Sequence, residues 1–225
     1  MSSDKSHERV NDILLGPLER PALQWFSAHM PAWVNPDILT FIGILGALII
    51  FVGYVLSHVN PAFLWLASFG FFVNWFGDSL DGTLARYRKI ERPKYGFFVD
   101  HTVDAFSQLL IFAGLGLSPY VSFSAAALGL IGYLLMQVYV YVNTFVTGVF
   151  KISFVKLGPT EVRAIAVLVN TLFFFAGVVV IDMPFGPINP YDLILLAIAG
   201  ILIIIFLIST FNRAKELAML EEGNS

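Results

Sequence analysis

An all-α, polytopic membrane protein is the fold class that this sequence predicts. Six transmembrane helices are expected, preceded by an N-terminal amphipathic helix at the membrane surface. Three observations carry the expectation. The 225 residues are 57% apolar and only 13% charged, with 22 Phe and a mean hydropathy of +0.78, whereas soluble domains hold about a quarter charged residues. Residues 38–77, 105–150, 164–181 and 193–212 contain no Asp, Glu, Lys or Arg. The 13 Lys and Arg all fall in segments that alternate regularly with uncharged ones.

The N-terminal segment, residues 1–37, begins "MSSDKSHERVND", too polar and acidic for a signal peptide. It continues with apolar residues at helical spacing, Ile13, Leu14 and Leu18, then Leu23, Trp25 and Phe26, interrupted by charges and prolines. Such a segment is too short and broken to span. It suits an interfacial helix with Trp25 and Trp33 at headgroup level. Asn35-Pro36-Asp37 then supplies a cap and a first-turn proline for the first span.

A span needs roughly 20 apolar residues. The two longer uncharged runs therefore hold about two passes each and the shorter two one each. Pro and polar residues in "SHVNPAF" and "LGLSPYVS" mark the turns between them. The expected spans are 38–57, 62–88, 95–117, 121–148, 160–181 and 191–213, all in one domain over 38–213, followed by a polar tail, 214–225. Lys5, Arg9 and Arg20 precede the first span, and Arg86, Arg88, Lys89, Arg92 and Lys94 lie between the second and third. Lys151, Lys156 and Arg163 surround the fourth connection, and Arg213 and Lys215 follow the last span. The opposite loops, including "DMPFGPINPYD", have none. Positive residues stay cytoplasmic, so both termini are expected there. No polybasic run suggests a nucleic-acid partner, and the absence of Cys excludes disulfides and thiolate metal sites.

Four carboxylates interrupt this apolar pattern at its cytoplasmic end. Asp78 and Asp81 are three apart in "FGDSLDGTLARYRK"; Asp100 and Asp104 are four apart in "YGFFVDHTVDAF". Each pair shares a helix face, and the short basic link lets the two faces meet. Four converging carboxylates in a low-dielectric setting repel one another, and divalent cations relieve that conflict. Oxygen-only ligands suit Mg²⁺, Mn²⁺ or Ca²⁺, and two metals would suit phosphoryl transfer. Gly82, Ala85 and Gly96, one turn from Asp78, Asp81 and Asp100, leave space beside the acids, and Arg86 adds a charge suited to a diphosphate. The competing reading is a non-enzymatic cation-binding protein or transporter. Transporters, however, place their charges near the bilayer midplane.

Together Asp78-x2-Asp81-Gly82-x2-Ala85-Arg86-x9-Gly96-x3-Asp100-x3-Asp104 resembles the signature of the CDP-alcohol phosphotransferase family. A chance match of eight fixed residues is expected on the order of once in 10⁹ positions. The resemblance implies an integral membrane transferase of phospholipid synthesis. Such an enzyme moves a substituted phosphate from a CDP-linked donor to an alcohol and releases CMP. It implies two cations, Mg²⁺ or Mn²⁺, held by Asp78, Asp81, Asp100 and Asp104, with Asp104 as the base. Gly82, Ala85 and Gly96 would make room for the nucleotide, and Arg86 would contact the diphosphate. It further implies a homodimer in the membrane lipid, and the compact core fits a bacterial or archaeal cell membrane. The expected donor is CDP-diacylglycerol, on chain size. The alternative is CDP-choline or CDP-ethanolamine with diacylglycerol, suggested by Asp100-His101-x2-Asp104 and by "GPTE" at 158–161. His101, Lys151, Lys156, Glu161 and Arg163 are candidates for the acceptor site, and Asn74, one turn before Asp78, for support behind the metals. The competing reading makes His101 a neutral interfacial or supporting histidine, the basic residues ordinary cytoplasmic charges, and Glu161 a helix cap.

Overall fold

In a computed structural model, residues 8–10, 14–147, 149–151, 158–183 and 186–222 are described. Among them are seven helices: α1 (Gly16–His29), α2 (Pro36–Leu56), α3 (Phe63–Arg88), α4 (Pro93–Gly116), α5 (Phe123–Thr147), α6 (Pro159–Ala176) and α7 (Pro190–Glu222). Two short strand pairs accompany them, a departure from a purely helical expectation. β1 (Glu8–Val10) runs parallel to β2 (Val149–Lys151), and β3 (Ile181–Met183) runs antiparallel to β4 (Gly186–Ile188).

The helix ends follow local chemistry. Asn35 Oδ1 accepts the Ile38 amide at 2.9 Å, with Pro36 in the first turn of α2, so the expected cap forms. Lys89 closes α3 in a left-handed conformation, φ 57°. Helix α6 stops at Ala176, short of the expected 181, because Gly177 takes φ 69° and leaves helical geometry. Helix α7 instead continues through the expected tail to Glu222. "RAKELAMLEE" consists of strong helix formers, and Arg213 bonds Glu216 at 2.8 Å one turn on. At 33 residues it is about 50 Å long, more than a bilayer core requires.

Four helices, α2, α5, α6 and α7, are long and apolar enough to cross a membrane. Helices α3 and α4 have the length but not the composition. The former carries Asn74, Asp78, Asp81, Arg86 and Arg88; the latter carries Asp100, His101, Asp104 and Gln108.

Helix α2 is the packing centre, in contact with both α3 and α4. Glycines make its approach to α3 possible. A Cβ on Gly46 would lie 2.3 Å from Asn74 N, one on Gly53 2.6 Å from Ala67 N, and one on Gly77 2.3 Å from Gly43 N. Small residues bring membrane helices together in this way. Helices α3 and α4, expected as direct neighbours, make their main backbone contacts with α2 instead. Their acids face each other across a cavity. Ile50, Tyr54, Leu64, Ala67 and Phe71 fill the α2–α3 core, where Tyr120 and Phe173 stack with centroids 4.7 Å apart. Asn170 takes the Tyr54 hydroxyl at 2.8 Å and donates to Ser68 at 3.2 Å, so this polar group within a span serves helix packing.

Overpacking the seam should destabilise it. Gly53→Leu is expected to cost about 3 kcal/mol and to lower the thermal midpoint of the detergent-purified protein by about 5 °C or more. Gly200→Ala, with nothing within 4 Å of the added carbon and a better helix former in α7, should not lower it.

Candidate active site

A cavity of about 670 Å³ opens between α1, α3, α4, α5, α6 and α7. Asp78, Asp81, Gly82 and Arg86 from α3 line one side, and Asp100, His101 and Asp104 from α4 face them. Carboxylate oxygens of Asp78, Asp100 and Asp104 lie within 4.8 Å of one another. Spacing on the two helices therefore does bring acids from both into one cluster.

Asp81 lines the same cavity but is engaged differently. Its Oδ2 accepts the Thr40 hydroxyl of α2 at 2.6 Å, and its Oδ1 accepts the Gly82 amide at 2.5 Å. Gly82 lies beside the Arg86 guanidinium, 3.3 Å from where a Cβ would stand, and Arg86 donates to Thr83 Oγ1 at 3.2 Å. Ala85 and Gly96 are not among the cavity-lining residues; Gly96 is exposed, with open space around it. His101 lines the cavity with only 13% of its side chain exposed. Its Nδ1 donates to the Phe97 carbonyl at 2.8 Å and sits 3.6 Å from Asp100 Oδ2. Phe97 stacks on the ring, and Tyr141 meets it edge-on at 4.6 Å.

The candidate acceptor residues divide. Arg163 reaches into the acid cluster: Nη2 donates to Asp78 Oδ2 at 2.6 Å and Nε to Asn74 Oδ1 at 2.9 Å. Asn74 in turn donates to the Gly43 carbonyl at 2.9 Å, so a chain of hydrogen bonds runs from the α2 backbone to Asp78. Glu161 points elsewhere. Only 4% exposed and absent from the cavity lining, it accepts the Leu15 amide at 2.7 Å and the Gly158 amide at 2.9 Å. It caps α6 and ties α1 to it. Lys151 ends β2, and Lys156 lies outside the described residues.

Several lining residues escape a search for clustered acids. Tyr133, Gln137 and Tyr141 follow one another at four-residue intervals along α5 and all face the cavity. That polar stripe in an apolar helix was a readable signal. Glu19, Arg20, Leu23 and Gln24 of α1 form another wall. Glu19 Oε1 accepts both the Trp75 indole N–H and the Thr160 hydroxyl, each at 2.8 Å. Arg88 fastens the chain beyond α1, donating to the carbonyls of Val34, Met30 and Pro31 at 2.5, 2.8 and 2.9 Å. Thr40 carries no sequence signal beyond being a hydroxyl in an uncharged run.

The profile of the CDP-alcohol phosphatidyltransferase family matches residues 33–211, which contain every acid of the cluster. The chain belongs to the CDP-alcohol phosphatidyltransferase family. Curated relatives of this family member include a phosphatidylinositol phosphate synthase of Cutibacterium acnes. It is 36% identical over 91 residues, 40% of this chain and 41% of that protein. Cholinephosphotransferase 1 of Danio rerio is 28% identical over 204 residues, 84% of this chain and 50% of that protein. Cholinephosphotransferase 1 of Rattus norvegicus is 26% identical over 210 residues, 88% of this chain and 51% of that protein. The chain thus spans about half the length, or less, of these relatives.

Glu161→Leu should leave the Leu15 and Gly158 amides without acceptors. An expected loss of about 2 kcal/mol or more would appear as a lower thermal midpoint, whereas Glu161→Gln, which still offers one oxygen, should lose less.

Proposed function

We propose that this chain transfers a substituted phosphate group from a CDP-linked donor to an alcohol, releasing CMP. The observation that carries the reading is the convergence of Asp78, Asp100 and Asp104 from two helices at one end of a cavity with Arg86 on its wall. The three clustered side chains offer oxygen donors within 4.8 Å of one another, a donor set that fits Mg²⁺ or Mn²⁺. Asp78, Asp100 and Asp104 would hold the cations, and Asp81 would join them by sharing an oxygen now bonded to Thr40. When bound, the cations neutralise the diphosphate and the developing charge on the departing CMP.

The chain's own groups do the rest. Arg86 at the cavity wall holds the diphosphate, with Gly82 leaving room beside it. Asp104 accepts the proton of the acceptor hydroxyl as its oxygen forms the new bond to phosphorus. The phosphoanhydride bond then breaks, and CMP leaves with the electron pair. Apolar Leu23, Met136, Val140, Leu202 and Ile205 share the cavity lining with these polar groups, which suits a reaction with one lipid and one water-soluble partner.

Both donor assignments use such a cavity. CDP-diacylglycerol with a soluble alcohol draws support from the phosphatidylinositol phosphate synthase relative. CDP-choline or CDP-ethanolamine with diacylglycerol draws it from Asp100-His101-x2-Asp104 and the broader coverage by cholinephosphotransferase relatives. The membrane arrangement we infer has six spans, α2 to α7, with the acids at the cytoplasmic end. Helix α1 would lie at the interface, its exposed Leu18 and Trp25, and Leu14 just before it, toward lipid.

Purified protein offered CDP-diacylglycerol or CDP-choline with a panel of acceptors should release CMP and yield one identifiable lipid; chelation should stop it. No CMP from any CDP-alcohol, despite bound metal, would favour a cation-binding protein without transferase chemistry. Asp104→Asn should abolish CMP release with metal present, and retained turnover would remove Asp104 as the base. The chain has no native Cys, so single cysteines report orientation. Asn60→Cys should react with an impermeant thiol reagent from outside intact cells, and Lys89→Cys only after permeabilisation.

A further inference from the structure

We propose that Arg163 is a resident counter-cation of the acid cluster, and that it holds down the site's affinity for divalent cations. This rests on the metal reading above. The Arg163 side chain is only 11% exposed, and its ion partner is Asp78, 21% exposed, at 2.6 Å. Asn74 locks the guanidinium from behind through Nε, and its Nη1 is buried without a hydrogen-bond partner. The arginine is thus placed by charge, with an N–H left over, rather than by a full set of hydrogen bonds.

Its position sets a competition. One Asp78 oxygen, Oδ2, is already occupied by Nη2. A divalent ion that takes Oδ2 must share that oxygen with the guanidinium or displace it. One that takes the other oxygen must bind beside a fixed positive charge in a setting where screening is weak. Either route lowers affinity in the same direction. Ordinary supporting groups act oppositely, since losing a residue that merely orients a ligand weakens metal binding about 10- to 100-fold. The sign of the change therefore separates a counter-cation from an orienting residue. In the protein without metal, Arg163 also offsets part of the repulsion among the acids, so the bundle can hold them together before any ion arrives.

The test is a Mn²⁺ titration of the full-length protein in detergent, with free Mn²⁺ read by electron paramagnetic resonance and no nucleotide present. Arg163→Gln should bind Mn²⁺ at least tenfold more tightly than the wild type, and Arg163→Lys, which keeps the charge, within about threefold of it. If the glutamine variant does not fold, Arg163→Met, which keeps the apolar stem, gives the same comparison. Neutral variants that bind Mn²⁺ equally or more weakly overturn the role of Arg163 and leave the metal reading standing. A wild-type protein that binds no Mn²⁺ overturns the metal reading and this inference with it.

Discussion

Negative charge concentrated inside an apolar bundle is the constraint on which the rest of the structure depends. Three carboxylates from α3 and α4 meet within 4.8 Å in a largely apolar bundle. Such an arrangement persists only where positive charge or hydrogen-bond donors are supplied from nearby. For Asp78 of the cluster and for Asp81 beside it, the chain supplies them from three directions. Arg163 comes from α6 to Asp78, Thr40 from α2 to Asp81, and the Gly82 amide from α3 itself. Cations of the kind the family employs would complete what these groups begin.

The glycine seam between α2 and α3 serves the same end. With Gly43, Gly46 and Gly77 at the crossing, the two backbones approach closely enough for Asn74 to reach the Gly43 carbonyl. Asn74 then fixes Arg163, and Arg163 fixes Asp78. Packing and electrostatics are therefore one system here: a larger residue in the seam would move Asn74 and, through it, the guanidinium. Helix α1 closes the cavity from another side. The Glu19 and Glu161 carboxylates bind it to α3 and α6, so the N-terminal helix also forms a wall of the site.

Much of this was legible in the sequence because the signals are local. Uncharged runs gave the helices, Asn35-Pro36 the start of α2, and the spacings of Asp78, Asp81, Asp100 and Asp104 the shared faces. Where the structure departs, a contact distant in sequence decides. Glu161 reads equally as an acceptor-site residue or a helix cap; it does cap α6, but it also accepts an amide 146 residues away in sequence. Arg163 reads as one more cytoplasmic positive charge, yet it is buried against Asp78, 85 residues earlier. Ala85 and Gly96 satisfy the motif, but the cavity passes them by.

By itself the sequence determined the membrane class, the helical elements, the family signature and the grouping of acids on two helix faces. Those depend on composition and on the helical repeat, which are properties of short stretches. Only the tertiary structure decided which three acids converge, that α2 rather than a direct α3–α4 contact organises them, and that Arg163 lies among them. Those outcomes depend on how closely helices approach and on where long side chains end, and both are fixed by residues far apart along the chain.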